Sequence, residues 1–83
     1  MIHYRVKGLT EPTIVLDTFV SGLGMVECVS GGLMRLTYYA EMVDPYTGDN
    51  TRPIALRMVR PVRYLAEDTK RVQEAIAPQL VPI

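Results

Sequence analysis

Residues 51–63 read TRPIALRMVRPVR and bring Arg52, Arg57, Arg60 and Arg63 together without a single carboxylate between them. A guanidinium is a planar fork that joins a carboxylate or a phosphate through two parallel bonds, so two chemistries fit such a cluster. Arg63, Glu67 and Arg71 are spaced four apart and read as a ladder of ion pairs along a helix, which leaves Arg52, Arg57 and Arg60 without local partners. In one chemistry these three meet acids of a neighbouring protein, with Asp17, Glu27 and Glu41 as the candidates within a second copy. In the other, the cluster Arg52, Arg57, Arg60 and Arg63 holds phosphate together with backbone amides at a helix start, as an anion site or a nucleic-acid contact. Tyr38, Tyr39 and Tyr46 could stack on bases, although tyrosine in a strand more often serves packing. The balance of charge favours the protein partner. Nine basic and nine acidic side chains cancel, so no overall field draws the molecule to nucleic acid or to an anionic membrane.

The residues that could do catalysis are few. His3 is the only histidine and Cys28 the only cysteine, and strand alternation puts them on opposite faces of a shared sheet, which argues against a nucleophile with a base in reach. Cys28 reads instead as a small buried hydrophobe. Ser21 and Ser30 sit among glycines without the flanking pattern of a nucleophile elbow. Asp44, Asp49 and Asn50 offer oxygens, but not at the alternate positions of a calcium loop, and read as a turn whose aspartates bond their own backbone. SGLGMVE and VSGGLM do not open helices and lack the glycine spacing of a phosphate loop. Glu67 and Asp68 are adjacent on a helix and diverge by about 100°. No catalytic residue, cofactor or metal ligand follows, and the chain reads as a non-enzymatic protein.

These side chains must be placed by elements that the pattern of apolar residues predicts. Ile2, Tyr4 and Val6 alternate with polar residues, giving a strand over 2–7, and TIVLDTFV gives a central strand over 13–20. A third strand over 25–29 turns at Ser30-Gly31-Gly32 into the clearest one, 33–42, where Met34, Leu36, Tyr38, Ala40 and Met42 all point one way. The turn-rich DPYTGDNT leads to a fifth strand over 53–59, with Pro53 marking its end. At Pro61 the period changes: Val62, Leu65, Ala66, Thr69, Val72 and Ile76 form one stripe of a helix over 62–77. Pro61 suits the start of that helix and Pro78 its end. The order predicts a single α+β domain over 1–83, a small mainly antiparallel sheet of about five strands with one C-terminal helix packed on one face.

One helix, about 10 Å across, cannot cover five strands at about 4.8 Å spacing. The opposite sheet face is not polar: it carries Val15, Phe19, Leu33, Tyr39 and Val59 among Asp17, Glu27, Arg35, Thr37 and Arg57. Such a face predicts an interface, joined by Arg57 and by the apolar tail 78–83 with Leu80, Val81 and Ile83. At 83 residues a lone core is marginal, so self-association would also help stability. Apolar residues at 48% against 22% charged describe a folded chain. One cysteine points to a reducing compartment, and the N-terminal MIHYRVKGL has no signal-like apolar stretch, nor does any run span a bilayer. The expectation is a cytoplasmic protein, or one within a particle assembled there, that self-associates as a subunit or adaptor. A virus or phage component is compatible with this, and a small nucleic-acid-binding or regulatory protein is the alternative.

Overall fold

The computed structural model describes residues 4–80, with the backbone alone for 79 and 80. Gly32 adopts φ 76°, a conformation that side chains resist, and this lets β1 (Gly22–Ser30) turn back into β2 (Leu33–Tyr39). Beyond β2 the chain forms the short pair β3 (Met42–Val43) and β4 (Asn50–Thr51), then β5 (Ile54–Pro61). β1, β2 and β5 make an antiparallel sheet in the order β1-β2-β5, and β3 and β4 a two-stranded one. The helix α1 (Val62–Ile76) follows, extended by a 3-10 turn at Ala77–Leu80. The α+β class, the antiparallel pairing and the C-terminal helix are as the sequence predicts.

The boundaries differ where tertiary contacts intervene. β1 begins at Gly22, ahead of the predicted 25–29, because its glycines lie beneath the Tyr39 ring. A Cβ at Gly22 would stand 2.9 Å from Tyr39 Oη, and one at Gly24 would stand 3.2 Å from Tyr39 Cδ1. The ring supplies the packing that strand glycines lack. The pairing also shifts between Leu23 and Met25, so Gly24 sits in a bulge.

β2 ends at Tyr39, short of the predicted 42. Ala40 N–H donates to Pro53 O (3.1 Å), but Pro53 has no N–H to return, and Glu41 N–H donates instead to Ser21 Oγ (2.8 Å). Pairing resumes only at Met42–Val43. The tip is closed by Asp44, whose Oδ1 accepts from Tyr46 N–H (2.8 Å) and Thr47 N–H (3.4 Å), the self-bonded turn foreseen for this loop.

The predicted strands at 2–7 and 13–20 do not form: residues 4–20 contain neither helix nor strand. Their composition is strand-like, but neither outer edge of the sheet, on β1 or on β5, pairs with them. The main sheet accordingly has three strands and is about 14 Å wide.

The helix lies across the face of Leu36, Tyr38 and Met58, presenting Leu65, Thr69 and Val72 to a groove of about 390 Å³. Its first N–H, on Val62, donates to Gly32 O (2.8 Å). Pro61 at the N-cap supplies no side-chain bond. The predicted end at 77 is nearly met, with Ala77 N–H donating to Gln73 O before the tighter turn. No helix among the described residues is long and apolar enough to cross a membrane. Among the described residues Leu36 is the one buried apolar residue, at 9% exposure, and Thr37 beside it is buried at 3%.

Candidate interaction surface

Strand alternation assigns the two faces. Val26, Leu36 and Met58 stand in one cross-strand row, and Cys28, Met34 and Arg60 in the next, both on the helix side. The open side carries the rows Met25–Thr37–Arg57 and Glu27–Arg35–Val59, with Leu33 opposite Pro61. Leu33, Tyr39, Arg57 and Val59 therefore share one face, as the alternation predicts. Val15 and Phe19 are not: they belong to the segment that never joins the sheet. Leu80 ends the 3-10 turn, and its side chain, like Val81 and Ile83, lies outside the described residues.

At the centre of the open face Thr37 is buried, and its Oγ1 has no hydrogen-bond partner among the described residues. Toward the Tyr39 end a shallow hollow of about 400 Å³ opens between Met25, Thr37, Tyr39, Arg52 and Ile54. The threonine was not singled out by sequence, since a polar residue on a mixed strand gives no sign that its neighbours will close over it.

The structure disperses the four arginines. Arg52 reaches Glu41 (3.7 Å) and lies 5.6 Å from the Tyr39 ring centroid. Arg60 pairs with Asp68 of the helix. Arg63 covers the Tyr64 ring at 4.8 Å, not Glu67, which pairs with Arg71 at 3.6 Å. Arg57 has no ion-pair partner among the described residues. Arg57 stands opposite Thr37 and Arg60 opposite Met34, on opposite faces, so these two cannot grip one phosphate together. Arg52 and Arg60, expected to lack local partners, have them. Hairpin pairing and the path of the helix over the sheet bring those acids near, and linear spacing shows neither.

The remaining sequence candidates are scattered. Cys28, expected to be buried, is an exposed free thiol on β1, and His3 lies outside the described residues. Tyr38 and Tyr39 are half-buried in β2, whereas Tyr46 is 95% exposed at the loop tip. Among the described residues no group of three or more His, Cys, Asp or Glu side chains comes together.

The most exposed aliphatic side chains lie in a segment whose composition predicts a strand inside the sheet. Along residues 4–20 Ile14 is 87% exposed, Leu16 82% and Phe19 77%. The arm is fixed at both ends: the Tyr4 ring lies under the Arg71 guanidinium at 4.5 Å, and Ser21 N–H donates to Tyr39 O (2.7 Å). Between them Glu11 accepts from Val15 N–H (3.4 Å). The accessible surface of the chain is 7403 Å², about half again the roughly 5,000 Å² of a compact chain of this mass. The radius of gyration is 16.3 Å where about 12 Å is usual.

No protein-family model, no curated protein and no solved structure matches this chain.

Proposed function

We propose that this protein is a non-enzymatic interaction module that self-associates and serves as a subunit or adaptor of a larger protein assembly. The observation that carries this reading is its accessible area of 7403 Å². That exceeds a compact monomer's by about 2,400 Å², more than the 1,200–2,000 Å² that a whole standard interface removes from both partners. Much of the excess is apolar, from Ile14, Val15, Leu16 and Phe19 on the arm and from Met25, Ile54 and Val59 on the sheet. Exposed apolar surface on this scale marks an interface. Zero net charge supports the reading, since like copies do not repel one another strongly.

Sedimentation velocity or native mass measurement at tens of micromolar tests it. The expected result is a mass at a multiple of the 9.3 kDa chain. A species that stays at the single-chain mass throughout that range overturns the reading.

A further inference from the structure

The arm and the edge of the sheet have matching needs. Residues 13–20, TIVLDTFV, have the β-branched and aromatic composition of a strand, yet they pair with nothing and expose their apolar side chains. Asp17 is the single charge in that stretch, and it makes no ion pair among the described residues. β5 is likewise eight residues long and terminates the strand order β1-β2-β5, so one row of its backbone N–H and C=O groups has no ladder partner. The three strands of this sheet bear four charges. Glu27 pairs with Arg35 and Arg60 with Asp68, which leaves Arg57. The one charge of residues 13–20 is an acid, and the one unmatched charge of the sheet is a base.

A chain cannot satisfy this match within itself. The position beyond β5 lies three strand spacings from β1, about 14 Å. Val20 is only two residues ahead of Gly22 in β1, a reach of at most about 7 Å. A second copy has no such constraint.

We propose that residues 13–20 of one copy add as a fourth strand along the outer edge of β5 in a second copy, with Asp17 against Arg57. This rests on the self-association proposed above and names its contact. Strand addition supplies main-chain bonds along the whole edge, and the ion pair sets the register. With Asp17 beside Arg57, alternation puts Val15 and Phe19 on the open face as well. Whichever way the arm runs, one of them neighbours Val59. Val15, Phe19, Arg57 and Val59, read from the sequence as one surface, are then reunited across two chains.

Charge reversal tests the pairing, with dissociation constants from sedimentation equilibrium. Asp17→Arg and Arg57→Asp are each expected to weaken assembly at least tenfold, and the double variant to recover to within a few-fold of the wild type. Both residues are exposed in the single chain, so circular dichroism should be unchanged. A second measurement needs no variant protein: a peptide of residues 11–21 should compete the wild-type assembly apart, and its Asp17→Arg form should not. If both single reversals leave assembly unchanged, if the double variant is as weak as either single one, or if the peptide has no effect, the arm-to-β5 contact is overturned while self-association stands. If the wild type is monomeric at the outset, self-association itself fails.

Discussion

Dilution should lower the melting temperature of this protein. A chain in which Leu36 alone among the described residues is a buried apolar residue draws little stability from its own core, so its folded state should be linked to association. For two chains that unfold and separate together, each tenfold dilution removes about 1.5 kcal/mol of stability at 60 °C. Unfolding entropy is about 2.1 cal/mol/K per residue, hence about 350 cal/mol/K for a pair of 83-residue chains. The ratio is a fall of about 4 °C for each tenfold dilution, approaching twice that for higher oligomers. Thermal melts followed by circular dichroism from 100 to 1 µM would show a dimer's midpoint dropping by about 9 °C. A midpoint that stays constant across that range would refute the reasoning, because it would mean that the single chain carries all of its own stability.

Three further outcomes follow from packing. Leu36→Ala should be the most destabilising single truncation in the sheet, by about 2–5 kcal/mol in urea unfolding, since the other apolar positions are already part-exposed. Gly24→Val should cost about 1–3 kcal/mol by crowding the Tyr39 ring. Gly31→Ala, where an added Cβ meets nothing within 4 Å, should stay within about 0.5 kcal/mol in the same assay.

The elements most legible in the sequence are those whose determinants are local. The alternation that begins at Leu33, the Ser30-Gly31-Gly32 turn and the apolar stripe from Val62 to Ile76 each depend on residues within one or two turns of chain, and each forms where it was expected, except that β2 stops at Tyr39. Gly22 and Gly24 read as a break because glycine weakens a strand on its own, and only the Tyr39 ring from the neighbouring strand restores it. Residues 13–20 are the opposite case, strand-like in composition but joined to neither edge of the sheet. The arginines were legible as a group and not as individuals. Glu41 and Asp68 become partners of Arg52 and Arg60 only after the hairpin has its register and the helix its direction.

The bond from Val62 N–H to the carbonyl of Gly32 bears on the order in which the molecule is built. Starting a helix fixes several residues before any bond rewards them, and here the initiating acceptor lies in a turn far upstream, with no cap at Pro61 to replace it. The β1–β2 hairpin should therefore close before the helix winds, and the helix should unwind first when that turn opens. An excised fragment spanning residues 54–80 would lack its point of initiation. Its far-ultraviolet spectrum should show little helix, and a strongly helical fragment would mean that the segment initiates without the hairpin.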